Sequence, residues 1–81
     1  MIDIQNACEI ATKERNEPFV SAVTDVGRGF VVATTAKKGE VADVPPLLID
    51  KKTGKTESYF IPMHFAEIKQ GKRCEIPAEY R

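Results

Sequence analysis

The sequence is poor in the side chains from which catalytic sites are commonly built. Its 81 residues include one histidine, two cysteines and no tryptophan. The 12 basic residues balance the 12 acidic ones, so the formal net charge is zero. This neutrality argues against a nucleic-acid binder, which usually carries a basic face, and against an acidic mimic of nucleic acid. We therefore expect no nucleic-acid partner.

Long apolar runs are also missing, and no segment has the length that a bilayer span requires. The first ten residues, MIDIQNACEI, lack the basic stretch and apolar run of a signal peptide. These two features predict a cytoplasmic protein with no membrane partner. The short length predicts a single domain over residues 1–81, with the core at about 3–68 and a C-terminal tail at 69–81.

The few reactive side chains do not form a recognisable site. His64 has no evident partner for acid–base catalysis, and Cys8 lies among apolar residues, where thiols are usually inert. Cys8, Cys74 and His64 lack the paired spacing of zinc ligands. We predict no catalytic residue, no metal and no cofactor. The two cysteines are expected to be free thiols, although a bridge between the tail and the helix stays open.

The N-terminal segment 3–15 predicts a helix that begins at an Asp3 cap and ends before Pro18. Its apolar residues recur at spacings of three and four, which is the pattern of one buried stripe: Ile4, Ala7, Cys8 and Ala11. The stripe consists mainly of small side chains. The helix is therefore expected to lie close against a flat surface such as a sheet.

Valine, threonine and aromatic residues favour strands in the middle of the chain. Glycines and prolines separate four such segments: 19–26, 29–36, 47–49 and 57–61. We predict an α+β fold in which the N-terminal helix packs on a four-stranded antiparallel sheet. A short helical turn at 63–71 and an extended tail follow, with Met63, Ala66 and Ile68 expected to face inward.

A single helix cannot cover both faces of a sheet, so apolar surface should stay exposed near the C-terminus. Exposed apolar patches commonly mark protein contacts. We assign partner binding to two acidic residues of the loop before the third strand and to three residues of the aromatic segment: Glu40, Asp43, Tyr59, His64 and Phe65.

Three motifs, ACEIA, GRGFVVAT and PPLLIDKKTGK, follow one another over residues 7–55. Their order and spacing resemble small bacterial immunity proteins of the YrhB-like kind. That family usually has tryptophan where this chain has Phe30, and a longer loop before the prolines. The resemblance implies a non-enzymatic cytoplasmic protein that binds and neutralises a cognate protein toxin.

Two other functions stay open. One is a small cystatin-like ligand-binding domain or enzyme with a cleft near His64 and Tyr59. The other is a homodimer that pairs exposed sheet edges. Neither alternative has a motif of its own in the sequence.

Overall fold

The computed structural model describes residues 1–39 and 44–81. It has the predicted α+β architecture, with the N-terminal helix on an antiparallel sheet and a short C-terminal helix. The elements in chain order are α1 (Ile4–Arg15), β1 (Phe19–Asp25), β2 (Gly29–Thr35), β3 (Leu47–Asp50), β4 (Thr56–Ser58), a 3-10 turn (Ile61–His64), α2 (Phe65–Gln70), β5 (Lys72–Cys74) and a second 3-10 turn (Ala78–Tyr80).

Helix α1 begins and ends at side chains suited to those positions. The Asp3 carboxylate accepts a hydrogen bond from the Asn6 amide at 2.8 Å, as expected of an N-cap. Asn16 closes the helix in the left-handed conformation with φ of 54°, which asparagine tolerates better than most residues. Three of the four residues of the predicted stripe are buried, Ala7, Cys8 and Ala11, and the fourth, Ile4, is partly buried and packs against the same cluster.

The sheet has five strands in the order β4-β3-β2-β1-β5, one more than predicted. The fifth strand, β5, lies in the segment that was expected to form an extended tail. It pairs antiparallel with Val23, Thr24 and Asp25 of β1. The sequence KRC has no strand signature of its own, so the pairing depends on the hydrogen-bonding edge that β1 provides.

Strand β2 is central, and both of its faces are buried. One face packs under α1 in a cluster of buried residues: Ala7, Cys8, Ala11, Val20, Val23, Phe30, Val32, Leu47 and Ile49. The opposite face holds the smaller cluster Val31, Leu48 and Tyr59, against which Val26 and Ile68 pack. The alternation of β2 therefore supplies apolar side chains to both sides of the sheet.

The turn between β3 and β4 has the structure that its residues predict. The Asp50 carboxylate accepts hydrogen bonds from the amides of Lys52 and Thr53 at 2.8 and 3.1 Å. Gly54 has a φ of +77°, a conformation that side chains with a Cβ rarely adopt. Strand β4 ends at Ser58 and not at Ile61, because the chain enters a 3-10 turn with Pro62 in its first positions.

Helix α2 folds back over the face opposite α1 and covers part of it. Ile68 packs against the small cluster, as predicted. The expectation that Met63 and Ala66 face inward is wrong, since both are exposed. Met63 lies in the 3-10 turn before α2, and Ala66 is two residues from Ile68 in the helix, a spacing that places their side chains on different sides of α2.

Candidate functional site

A groove with apolar walls lies on the sheet face opposite α1, on the side that α2 leaves open. We call it the apolar groove. Its volume is about 400 Å³, and nine residues line it: Ser21, Ala22, Ala33, Val44, Pro45, Pro46, Phe60, Ile61 and Pro62. One wall is the segment that leads into β3, and the other is the segment that follows β4.

The groove exists because the floor is made of small side chains. Ala22 of β1 lies directly opposite Ala33 of β2, and residues paired in this way place their side chains on the same face. The register shifts between Val20 and Ala22, so that Ser21 is an extra residue in β1. Small floor residues between walls of proline and phenylalanine leave space that the chain does not fill.

The segment 60–65 holds four of the six large apolar side chains that are exposed in the described part of the chain. Phe60 is 52% exposed, Met63 77% and Phe65 61%, with Ile61 at 39%. Large apolar side chains at these exposures are ordinary when scattered singly. Here four of them occur within six consecutive residues, next to the apolar groove. Such contiguity is typical of a protein-binding surface.

Tyr59 directly precedes this segment and has the opposite environment. Its side chain is 1% exposed, and its hydroxyl donates a hydrogen bond to Oε1 of Glu67 at 2.7 Å. The Arg28 guanidinium holds the same carboxylate through Nε and Nη2, at 2.9 and 3.0 Å. The ring of His64 stacks on Tyr59 with centroids 4.7 Å apart. These contacts fix α2 to the sheet, and we call Arg28, Tyr59 and Glu67 the anchor.

The anchor residues are not tuned for proton transfer near neutral pH. Hydrogen bonds from Arg28 and then Tyr59 lower the pKa of Glu67 to about 2. Burial, followed by the hydrogen bond to Glu67, raises the pKa of Tyr59 to about 12. At pH 7 the carboxylate is therefore ionised and the phenol protonated. A general acid or base works best with a pKa near the working pH, so the anchor has the properties of a structural contact.

The predicted partner-binding residues that the structure describes differ in their exposure to solvent. Phe65 is exposed, as expected, and His64 is half-buried beside Tyr59. The expectation that Tyr59 is exposed, or lines a cleft with His64, is wrong, because α2 folds over its ring. Glu40 and Asp43 lie outside the described residues. The partner-binding role of these residues stays a prediction.

The partner-binding residues predicted from the sequence do not include Phe60, Ile61 and Met63, all of which are exposed. The available signal was the apolar run FIPMHF at 60–65, where Pro62 interrupts the strand. Strand alternation predicts that Tyr59 and Phe60 lie on opposite faces, but β4 ends at Ser58, and both residues lie on the face opposite α1, Tyr59 in the small cluster and Phe60 at the apolar groove. Alternation does not say which of the two is buried, because that depends on where α2 packs.

Glu67→Gln is expected to reduce the loss of unfolding free energy that occurs as the pH falls from neutrality into the acid range. The carboxyl has a pKa of about 2 in the folded protein against an ordinary value of 4.5. Its ionised form therefore stabilises the fold above about pH 4.5, and this contribution disappears as the pH falls toward 2. The side chains of Arg28 and Glu67 are 47% and 30% exposed, so solvent screening limits the contribution to roughly 1–2 kcal/mol.

Urea denaturation at a series of pH values between neutrality and acid measures this effect. Glu57→Gln is the matched control, since Glu57 also faces Arg28 but at 3.6 Å and with a more exposed side chain. The control should keep the wild-type pH dependence. If Glu67→Gln loses as much stability in acid as the wild type, the charge of the Glu67 carboxylate does not stabilise the fold.

Over residues 1–39 and 44–81, no three histidine, cysteine, aspartate or glutamate side chains converge as ligands for a metal ion. In the same part of the chain no helix has both the length and the apolar character needed to cross a membrane. No family model, curated protein sequence or solved structure matches this chain.

Proposed function

We propose that this protein is a non-enzymatic protein-binding module that holds its partner at the apolar groove and the exposed segment 60–65. The observation that carries the proposal is the exposure of Phe60, Ile61, Met63 and Phe65 beside an unfilled groove. A few side chains, often aromatic, that fill well-packed pockets near the centre of an interface supply most of its binding energy.

The surface is held in place before any partner arrives. The anchor attaches α2 to the sheet, and Arg15 donates a hydrogen bond from Nη2 to the Pro45 carbonyl at 2.8 Å on the other wall. Prolines at 45, 46 and 62 restrict the backbone of both walls. A surface that is already ordered loses less conformational entropy when it binds.

The chemistry of the anchor supports a binding role over catalysis. Its phenol and carboxylate hold each other in fixed ionisation states at neutral pH, and the Tyr59 ring is buried. The groove itself is lined by aliphatic, aromatic and proline residues together with Ser21. Such a lining suits an apolar side chain of a protein partner.

The class of partner that we propose is a cognate protein toxin, which the module neutralises by direct contact in the cytoplasm. This part of the proposal rests on the resemblance of PPLLIDKKTGK to the hairpin of YrhB-like immunity proteins, since no family model matches the chain. The structure of that hairpin is explained by its turn residues alone. The toxin assignment therefore needs its own experiment.

Co-expression with the product of the adjacent gene tests the assignment. The neighbouring product alone should arrest growth, and co-expression of this protein should restore growth and yield a stoichiometric complex on purification. A harmless neighbour, or arrest that persists in the presence of this protein, would remove the toxin role. The protein-binding proposal is tested separately through the exposed segment.

A homodimer is the second candidate, because the exposed segment and the groove lie side by side on one surface. Two copies related by a two-fold axis would each offer a projecting apolar segment and a groove to the other. Sedimentation velocity over a range of concentrations distinguishes the two cases. If the protein sediments as a dimer alone but as a one-to-one complex in the presence of the partner, dimerisation and partner binding use the same surface.

A further inference from the structure

The two cysteines lie on the same side of the sheet although 65 residues separate them in sequence. Cys8 is fully buried on α1. Cys74 in β5 lies opposite Val23 in β1, and residues directly opposite each other place their side chains on the same face. Val23 is itself fully buried in the cluster beneath α1. The side chain of Cys74 therefore points toward α1.

The segment that follows β5 continues along the same helix. Ile76 and Tyr80 pack against the cluster beneath α1, as Cys74 does, and Gln5 donates a hydrogen bond from Nε2 to Glu79. Burial, and next the electrostatic effect of Cys74, raise the pKa of Cys8 to about 11. Cys74 therefore packs against the cluster that contains Cys8, and both are free thiols here.

We propose that Cys8 and Cys74 form an intramolecular disulfide when the protein meets a two-electron thiol oxidant, such as a peroxide or a glutathione disulfide. The bond would fasten β5 and the residues after it to α1. The disulfide would join α1 to β5, an edge strand of only three residues. Together with β4, β5 is the shortest strand of the sheet.

The reaction begins at Cys74, because its side chain is partly exposed and that of Cys8 is not. With hydrogen peroxide, the Cys74 sulfur takes one oxygen as the O–O bond breaks, which gives a sulfenic acid and one water. The Cys8 sulfur then attacks the Cys74 sulfur, the S–O bond breaks, and hydroxide leaves with the Cys8 proton as a second water. Two thiols lose two electrons and two protons in total.

Two consequences follow from the positions of the cysteines. The bond closes a long loop, so it removes many conformations from the unfolded chain and should raise the melting temperature by about 10 °C or more. Closure in the native state should be slow. A thiol with a raised pKa is almost entirely protonated at pH 7, and the thiolate is the attacking form.

Mass spectrometry of the full chain tests the proposal. Reduced protein is incubated with hydrogen peroxide or oxidised glutathione, denatured, treated with iodoacetamide and weighed without reductant. We expect a monomer that has lost two hydrogen atoms and carries no alkyl group. Cys8→Ser with oxidised glutathione should instead carry one glutathione on Cys74, and Cys74→Ser should carry no glutathione and one alkyl group, because Cys8 is buried until the protein is denatured.

A second experiment tests whether a failure to form the disulfide comes only from slow access of the oxidant to the buried Cys8. Denatured, reduced protein is refolded in a glutathione redox buffer, where either thiol can react before the helix covers it. The cross-linked monomer should again predominate, with the higher melting temperature. Refolded protein with native circular dichroism and two alkylatable cysteines, or with only intermolecular dimers through Cys74, would overturn the proposal.

Discussion

Replacement of Tyr59 by alanine is expected to lower the free energy of unfolding by about 3–5 kcal/mol. The ring is 1% exposed and packs with Val31 and Leu48 in the small cluster, so its removal leaves a cavity. The hydroxyl also pairs with Glu67. For a chain of this size the loss corresponds to a fall in melting temperature of roughly 15–30 °C.

The neighbouring residue provides the matched control. Phe60 has a similar ring but is 52% exposed, so Phe60→Ala should cost less than about 1 kcal/mol. Tyr59→Phe keeps the ring and removes only the hydroxyl, which should cost about 1–2 kcal/mol. Thermal and urea denaturation of the three variants measures these differences. Equal losses for Tyr59→Ala and Phe60→Ala would contradict the placement of α2 over Tyr59.

The double change Phe60→Asp and Phe65→Glu is expected to reduce partner affinity by about 100-fold or more. Interface anchors of this kind contribute about 2 kcal/mol or more each, and every 1.4 kcal/mol is a factor of ten in affinity. Both side chains are exposed, so the fold should survive. An acidic residue in the first turn of α2 also suits the helix dipole.

Titration calorimetry with the partner recovered by co-expression measures the affinity. Lys52→Glu is the control, because it adds negative charge at an exposed position in the turn between β3 and β4, away from the segment 60–65. It should bind like the wild type. Wild-type affinity in the folded double variant would place the partner elsewhere and remove the groove from the proposal. A comparable loss in Lys52→Glu would indicate a general charge effect.

Adjacent residues thus have opposite expected roles. Tyr59 supports the fold and has no exposed surface to offer, whereas Phe60 contributes little to the fold and offers half of its surface. The anchor connects the two roles, because it holds α2 over Tyr59 and thereby leaves the apolar groove open beside Phe60. Stability and binding can therefore be separated by single substitutions at neighbouring positions.

The sequence by itself determined the elements whose signals are local. Asp3 and Asn16 bound α1 through contacts within a few residues. Asp50 and Gly54 shape the turn between β3 and β4 through their own hydrogen bonds and backbone angle. Each of these depends on neighbours along the chain, so the residues alone were sufficient.

Only the tertiary structure decided the remaining features. Strand β5 forms because β1 offers an unpaired edge over Val23–Asp25, and its own three residues do not indicate a strand. The burial of Tyr59 and the exposure of Phe60 depend on which half of the sheet α2 covers. The groove depends on the pairing of Ala22 with Ala33 beneath walls from two distant segments. Contacts between residues far apart in sequence are set by packing, and the candidate site consists almost wholly of such contacts.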